Sequence, residues 1–349
     1  MREDNALKNK QNHVRKAISA VILLALIVCA FALIAGYYFY HFAHEPTDSQ
    51  GHPILIMVHP GQGLNSTTNQ LLKQNLISSL GKFKILAAVT GKDKNIKAGE
   101  YLFSSAMSPW DILQDLINGN VYLHKITIPE GYNLYQIGHA IQEAGICSET
   151  DFIAAATDPA LARQFAIPEP AETFEGYLFP ETYHFPKGVS PNVIIKTMVG
   201  RFRSVFKQAW YERATALGFS LHEVLTLASI IEKETGDARE RPLISSVFHN
   251  RLGKNMRLET DPTVIYGIKD FDGNLTKKHL KAQTPYNTYK RKGLPPGPIA
   301  NPGLASIEAA LYPEDSTYLY FVSRKDKTHQ FSTNIRDHIN SVRKYQLNK

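Results

Sequence analysis

The chain has 349 residues, a formal net charge of +7 and 43% hydrophobic residues. This length allows a membrane anchor and about two domains of roughly 150 residues each, and the hydrophobic content excludes a disordered protein. Residues 1–16 hold five basic and two acidic residues, so the remainder carries a net charge of only +4. Because no basic-aromatic motif accompanies this weak charge, we predict no nucleic-acid partner.

An uncharged segment without proline, 24 residues long, occupies positions 17–40. As a helix it would span about 36 Å at about 1.5 Å per residue, enough to cross a bilayer core. Five Lys and Arg residues precede it and none follows until Lys73. By the positive-inside rule, residues 1–16 form a cytoplasmic tail, residues 17–40 form a transmembrane helix, and the rest lies outside the cytoplasm.

Two other interpretations of this segment are disfavoured. A cleaved signal peptide conflicts with the length of the apolar run and with the lack of a clean A-x-A site after it. A lipoprotein site at Cys29 conflicts with Val28, which is not small, and with the apolar residues that continue beyond it. Cys147 then lies outside while Cys29 lies in the membrane, so we expect the exported part to fold without disulfides.

The sequence after the anchor predicts a short linker over 41–50 and a small α+β region over 51–150. Residues 54–79 have the pattern of a strand, a tight turn and a helix, and the same order recurs over 125–150. A further helix is predicted to begin after Ser108, which suits an N-cap. Small strand-helix-helix-strand units of this kind look like LysM-like peptidoglycan-binding modules; a plain α+β spacer domain is the alternative.

Helical patterns dominate after residue 150, and the composition changes again beyond residue 253. A single helix is predicted over 191–217, and prolines and tyrosines multiply from 253 onward. A strand is predicted over 317–324, with 329–333 as its partner and a helix at the C-terminus. The fold class is therefore α+β, with a mainly helical second domain over 151–349.

LASIIEKETG (227–236) carries two carboxylates at the end of a predicted helix over 221–235. At about 100° per residue, Glu232 and Glu234 fall on opposite flanks of the apolar arc, so they cannot both face one small site. Glu234 lies in the last turn, where the helix dipole and partial burial both disfavour its anion and raise its pKa. A glutamic acid that keeps its proton near neutral pH can be a general acid. A pair of solvated glutamates is the alternative.

LETDPTVIYG (258–267) predicts a short helix that Asp261 caps and Gly267 ends. That role would be structural. Thr263 and Tyr266 follow the cap and can line a cleft.

TPYNTY (284–289) combines two aromatic rings with an amide in a segment that prolines stiffen. Tyr286 and Tyr289 flank Asn287, and flat apolar faces beside polar groups suit sugar rings. A rigid loop also binds without a large ordering cost. A connector with tyrosines in the core is the alternative interpretation.

EGYLFPETY (175–183) is a further polar and aromatic cluster, with Glu175 and Glu181, that suits a domain junction. The sequence lacks H-x-x-x-H and H-E-x-x-H motifs, and it lacks phosphate-binding and nucleophile-elbow motifs. We therefore predict neither a metal nor a cofactor.

Ten segments in a fixed order, spread from about residue 50 to 340, resemble the endolytic murein transglycosylase family, the membrane-anchored, YceG-like peptidoglycan terminases. They are KAGEY, TIPEG, EGYLFPETY, LASIIEKET, SVFHNRL, LETDPTVIYG, TPYNTY, GLPPGPIANPG, YLYFVSR and HQFSTN. The resemblance implies a LysM-like module and a lytic-transglycosylase-type catalytic domain facing the periplasm, with the anchor in the inner membrane. It also implies peptidoglycan glycan strands as substrate and peptidoglycan synthases as partners.

The resemblance places the catalytic glutamate at Glu234, with Glu232 as an accessory or structural acid. Glu234 would protonate the glycosidic oxygen between MurNAc and GlcNAc and then deprotonate the MurNAc 6-hydroxyl, which closes on its own C1 as a 1,6-anhydro end. The predicted substrate-binding residues are Glu232, Asp261, Thr263, Tyr266, Tyr286, Asn287, Tyr289 and Glu181.

Two alternatives remain at the level of sequence. A hydrolytic muramidase would need a second carboxylate about 5–9 Å from Glu234, for which Glu181 and Asp261 are the candidates. A membrane-tethered, non-catalytic peptidoglycan-binding scaffold would need no buried acid in its cleft.

Overall fold

The computed structural model of the chain describes residues 2–91, 95–269 and 271–347. These form two compact units, Met1–Tyr122 and Leu123–Lys349. The boundary therefore follows residue 122, whereas the sequence placed it at 150.

The first unit is built from an antiparallel strand pair and four helices. Its elements are α1 (Arg2–His44), β1 (Pro53–Val58), α2 (Leu64–Lys73), α3 (Leu80–Val89), β2 (Gly99–Ser104) and α4 (Pro109–Asn118). Pro53 lies opposite Ser104, and Val58 lies opposite Gly99. Ser108 caps α4 as predicted, accepting a hydrogen bond from the backbone N–H of Asp111. The order β1-α2-α3-β2 is strand, helix, helix, strand.

Helix α1 contains a stretch, Arg15–His44, that is long and apolar enough to cross a membrane. The helix continues four residues beyond the predicted end of the span, to His44. Phe42 and Ala43 are buried there in the core of the first unit. The predicted linker over 41–50 is therefore wrong at its start, because these apolar side chains extend the helix into the folded unit.

The second unit is mainly helical, with two strand pairs. Its elements are β3 (Leu123–Thr127), α5 (Leu134–Glu143), α6 (Glu149–Ala156), α7 (Pro159–Gln164), β4 (Thr182–Pro186), α8 (Pro191–Val205), α9 (Gln208–Ala216), α10 (Leu221–Glu234), a 3-10 turn (Ala238–Glu240), α11 (Arg241–Gly253), α12 (Asp261–Tyr266), α13 (Lys277–Lys281), α14 (Leu304–Leu311), β5 (Tyr320–Ser323), β6 (His329–Ser332), α15 (Ile335–Val342) and a π-helical turn (Arg343–Leu347).

Strand β3 and helix α5 were predicted as a second copy of the pattern in the first region, and they form a strand and a helix. Strand β3, however, pairs antiparallel with β4, from Leu123 opposite Pro186 to Thr127 opposite Thr182. Ile126 is buried in the core of the second unit. This pairing and burial explain why the domain boundary precedes β3.

The helix predicted over 191–217 is broken into α8 and α9. Phe206 takes an extended conformation between them, with φ −75° and ψ 99°. It is 4% exposed, and its ring packs edge-on against Trp210 at 5.3 Å between centroids. Burial of this ring stabilises the bend that the helical pattern did not reveal.

Helix α10 is the centre of the second unit and packs against α9, α11, α12 and α14. A capping box starts it, with Ser220 and Glu223 each bonding the other's backbone N–H. Nine of its residues are buried: His222, Val224, Leu225, Thr226, Leu227, Ala228, Ser229, Ile230 and Ile231. The helix is thereby fixed in the core up to its last turn.

A buried asparagine joins three distant segments of the second unit. The Asn301 amide donates hydrogen bonds to the Tyr132 carbonyl and to Glu175 Oε1, both at 3.0 Å. Its Oδ1 accepts from the Leu178 N–H at 2.9 Å. The side chain therefore satisfies three polar groups that lie far from it in sequence.

We expect Asn301→Ala to lower the free energy of unfolding by at least about 2 kcal/mol, because each buried group left without a partner costs about 1–3 kcal/mol. Asn340→Ala is the control: Asn340 is exposed, and its replacement should change stability by less than about 0.5 kcal/mol. Urea denaturation of both variants measures this. Equal stability of the two variants would contradict the bridging role.

Candidate active site

Glu234 is the last residue of α10, and the chain becomes extended at Thr235, with φ −140° and ψ 140°. The Glu234 side chain is half-buried, and its Oε1 accepts a hydrogen bond from the Thr260 hydroxyl. Burial raises the pKa of Glu234 to about 7; the Thr260 hydrogen bond opposes this rise and repulsion from Asp261 adds to it. The carboxyl can therefore hold or release a proton near neutral pH.

Glu234 lines two cavities. One, of about 400 Å3, also contains Asp261 and Tyr289. The other, of about 780 Å3, is lined by Asp237, by β5 and by His329 at the start of β6. Phe321 and Val322 of β5 line both. The Glu234 carboxyl thus borders open space in two cavities that share part of their lining.

Two further threonines, Thr263 and Thr288, fix the position of Thr260, whose hydroxyl contacts Glu234. The Thr260 N–H donates to Thr288 Oγ1 at 3.1 Å, and the Thr263 hydroxyl donates to the Thr260 carbonyl at 2.8 Å. The hydroxyl oxygens of Thr263 and Thr288 are 2.9 Å apart. Thr263 is fully buried, so its predicted contact with substrate is wrong. It acts through Thr260 instead.

Asp261 and Tyr289 are two predicted substrate-binding residues that the fold does bring to Glu234. The Tyr289 hydroxyl donates to Asp261 Oδ1 at 2.7 Å, and both side chains line the 400 Å3 cavity. The predicted capping role of Asp261 is wrong, because Thr260 occupies the N-cap position and Asp261 is the first helical residue of α12. The Asp261 carboxylate is therefore not used as a helix cap and lines the cavity instead.

Asn287 was predicted to bind sugar, and this is wrong because the residue is fully buried. Its amide donates to the carbonyls of Ala282 at 2.6 Å and Leu280 at 3.2 Å. Its Oδ1 accepts from the Tyr289 N–H at 3.0 Å. Asn287 therefore holds the loop that presents Tyr289.

Tyr266 and Tyr286 lie together but line neither cavity of Glu234. Their ring centroids are 4.9 Å apart, and the Tyr266 hydroxyl donates to Glu175 Oε2 at 3.1 Å. Tyr286 lines a separate cavity of about 380 Å3 beside Glu175 and His222. Both tyrosines belong to the surroundings of Glu175.

Glu232 is held in an ion pair away from the cleft. Its Oε1 lies 3.1 Å from a guanidinium nitrogen of Arg241, and only 7% of its side chain is exposed. Its Oε2 accepts from the Gly303 N–H at 3.0 Å. Both oxygens thus bond to protein groups, and Glu232 lines neither cavity of Glu234, so its role as a structural acid stays a prediction.

Glu181 is exposed and pairs with Arg201. It lines neither cavity of Glu234. The structure therefore does not bring this predicted residue to the site.

Sequence reasoning missed Thr260 as a site residue, although it stands directly before Asp261. It also missed Arg251, Tyr320 and His338, which line the cavity of Glu234 but lie far apart in sequence. Among the residues that the structure describes, no group of three or more His, Cys, Asp or Glu side chains is placed to hold a metal ion.

Glu175 is a second buried carboxyl, 3% exposed. Burial raises its pKa to about 8, against the opposing effect of hydrogen bonds from Leu134, Tyr266, Gly176 and Asn301. Hydrogen bonds to this carboxyl join several segments of the unit, and the side chain also borders the cavity of about 380 Å3.

Comparison with known proteins gives a consistent set of relatives. The model of the YceG-like family matches residues 56–344. A protein of Bacillus subtilis (strain 168) named endolytic murein transglycosylase is 34% identical over 308 residues, which cover 84% of this chain and 85% of that protein. One of the same name from Streptococcus pneumoniae (serotype 2, strain D39) is 27% identical, over 93% of this chain and 66% of that protein.

A solved structure is also similar. The crystal structure of a yceG-like protein from Listeria monocytogenes matches with a TM-score of 0.58 and 34% sequence identity, and the match covers 84% of this chain and 100% of that one. The likeness therefore extends from the sequence to the fold.

The raised pKa of Glu234 predicts a pH-dependent stability. The protonated carboxyl makes its full contribution below its ordinary pKa of 4.5, and this contribution is lost as the pH rises through about 7. Glu234→Gln has no such loss, so its free energy of unfolding relative to the wild type should increase by about 1–3 kcal/mol from pH 5 to pH 8. Urea denaturation across this range measures it. Glu175 is present in both proteins, so its contribution to the pH dependence cancels. A difference in the free energy of unfolding that stays constant with pH would contradict the burial argument.

Proposed function

The chain belongs to the YceG-like family, and from that membership we propose that it is a peptidoglycan lytic transglycosylase. It cleaves the bond between MurNAc and GlcNAc within glycan strands, leaves 1,6-anhydroMurNAc ends and so terminates strand elongation. The observation that carries the proposal is the half-buried Glu234, with a pKa of about 7, between two open cavities. The names of the relatives in Bacillus and Streptococcus support the same activity.

A single carboxyl suffices for this reaction. Glu234 donates its proton to the glycosidic oxygen as the bond from C1 of MurNAc to that oxygen breaks. The resulting carboxylate then takes the proton of the C6 hydroxyl of the same MurNAc, whose oxygen bonds to C1. Glu234 ends protonated, no water is consumed, and a pKa near the working pH suits both half-steps.

The hydrogen bond from Thr260 gives the two oxygens of Glu234 different roles. Its hydroxyl donates to Oε1, which leaves Oε2 to carry the transferable proton. The hydrogen bond also stabilises the carboxylate that remains after the first proton transfer, since a hydrogen bond to an ionised acceptor is stronger than one to a neutral acceptor. Thr260 thus orients the acid and lowers the barrier to its ionisation.

A hydrolytic muramidase is the alternative, and one observation favours it. Asp261 lines the same cavity and is close enough to raise the pKa of Glu234, so it is the candidate for a second, water-activating carboxylate. The Tyr289 hydrogen bond to Asp261 Oδ1 suits a sugar-orienting carboxylate equally well. A non-catalytic scaffold would need no half-buried acid, and we prefer the enzyme.

We further propose that α1 anchors the protein in the inner membrane, with the N-terminus in the cytoplasm and the second unit in the periplasm. The support is the charge asymmetry around residues 17–40 and the apolar stretch Arg15–His44. The strand-helix-helix-strand order of the first unit supports a LysM-like, peptidoglycan-binding role. Peptidoglycan synthases are the proposed partners, since they make the strands that the enzyme would cut.

Substitution of the two glutamates in LASIIEKETG separates their roles. Glu234→Gln keeps the shape but loses the transferable proton. General acid–base help is worth about 10²–10⁴-fold, and one group serves both half-steps, so turnover of purified glycan strands should fall by at least about 10⁴-fold. Stability should hold or rise, because a disfavoured carboxylate has been removed.

Glu232→Gln is the matched control. It should retain measurable turnover but lower the melting temperature, because the buried Arg241 loses its counter-charge. An inactive Glu232→Gln beside an active Glu234→Gln would move the catalytic role by two residues. Full activity of both variants would show that neither glutamate at the end of α10 is catalytic.

A further inference from the structure

We propose that Arg251, Tyr320 and His338 form a subsite that binds an acyl oxygen of the lactyl side chain of a muramic acid residue. The inference rests on the proposed function, because it assigns the polar wall of the cavity that Glu234 also lines. It would give the enzyme a means to tell muramic acid from glucosamine in the strand.

The three side chains come from different elements and form one stack. The Arg251 guanidinium of α11 lies 4.9 Å from the centroid of the Tyr320 ring. The His338 ring of α15 stacks on Tyr320 at 5.1 Å between centroids, with 23° between the ring planes. The tyrosine of β5 therefore holds both nitrogen-bearing groups at the cavity.

Arg251 is anchored on one side and free on the other. Its Nε donates to the Leu319 carbonyl at 2.6 Å, and its Nη1 donates to the Leu258 carbonyl at 2.9 Å and to Glu259 Oε2 at 3.2 Å. Within the described residues Nη2 donates no hydrogen bond, yet it is not sealed from solvent. The side chain is only 8% exposed and lines the cavity, so we infer that Nη2 is its donor to a ligand there.

His338 supplies a second donor. Its Nδ1 is sealed from solvent and has no partner in the described part of the chain. Burial and the Arg251 charge lower the pKa of His338, while Glu259 opposes them, so the imidazole is neutral at pH 7. A buried N–H without an acceptor is rarer than a buried lone pair, so we assign the proton to Nε2, which makes no other hydrogen bond within the described residues.

Both nitrogens only donate, so an acyl oxygen, which only accepts, suits them better than a hydroxyl, whose own O–H would lack an acceptor from them. The charge on Arg251 strengthens the bond. MurNAc differs from GlcNAc by a lactyl ether, whose carboxyl is free in a bare strand and amide-linked where a stem peptide is attached. Both forms present an acyl oxygen. A cavity of about 400 Å3 lies in the range of roughly 300–1,000 Å3 typical of ligand pockets.

The test measures binding without turnover, in the Glu234→Gln protein, by calorimetry. Its ligands are MurNAc-GlcNAc oligomers with and without stem peptides, and GlcNAc oligomers of equal length. Adding His338→Ala should weaken binding of the muramic ligands by roughly 3- to 10-fold, the value of one hydrogen bond, and leave the GlcNAc ligands unchanged. His338→Gln, which keeps a donor, should restore part of the loss.

Folding is controlled in two ways. His338 is half-buried and its Nδ1 has no hydrogen bond to lose, so His338→Ala should lower the melting temperature of its parent only slightly, through the lost stack on Tyr320. His139→Ala, at an exposed position of α5, should leave binding of every ligand unchanged.

Loss of affinity for bare strands only would identify the free carboxylate as the bound group, and loss for both muramic ligands would identify the acyl oxygen that they share. Equal weakening of muramic and GlcNAc ligands, or no weakening, would overturn the proposal, as would a parent protein without preference for muramic ligands. A preserved preference in an enzyme that makes no anhydro ends would reject the proposed reaction and keep this subsite.

Discussion

The hydrogen bond from the Thr260 hydroxyl to Glu234 joins the buried helix α10 to the segment that begins α12. Glu234 ends a helix whose preceding turns are buried in the core. The Glu234 backbone therefore cannot move outward to hydrate the carboxyl fully. Its carboxyl must remain at the edge of the cavities, where burial disfavours the anion. Thr260 opposes this effect in part, and the balance gives a group that can both donate and accept a proton near pH 7.

Two further sets of polar contacts hold Thr260 and the end of α10 in position. Thr263 and Thr288 fix the Thr260 backbone, and the Arg241 ion pair fixes Glu232 on the flank away from the cleft. Burying a charged pair adds little net stability. The ion pair with Arg241 instead fixes the direction of the Glu232 side chain, which therefore does not reach the substrate or the proton that Glu234 handles.

Part of this arrangement could be predicted from the sequence. The apolar arc of α10 and the predicted helix end at residue 235 indicate that Glu234 lies in the last turn beside a core, and α10 ends at Glu234 itself. Asn287 and Thr263 were misassigned because amides and hydroxyls satisfy backbone groups as readily as they bind sugars, and only burial distinguishes the two. The boundary at residue 122 was missed because the partner of β3 lies beyond residue 180, a pairing that no local pattern encodes.

The proposed mechanism needs one carboxyl to cleave the glycosidic bond, and the sugar supplies its own nucleophile. The most direct measurement is mass analysis of the sugar ends released from purified glycan strands in water enriched in oxygen-18. We expect 1,6-anhydroMurNAc ends without the heavy isotope, including ends that arise in the middle of long strands. Reducing ends that carry oxygen-18 would contradict it and would make Asp261 the base of a hydrolase.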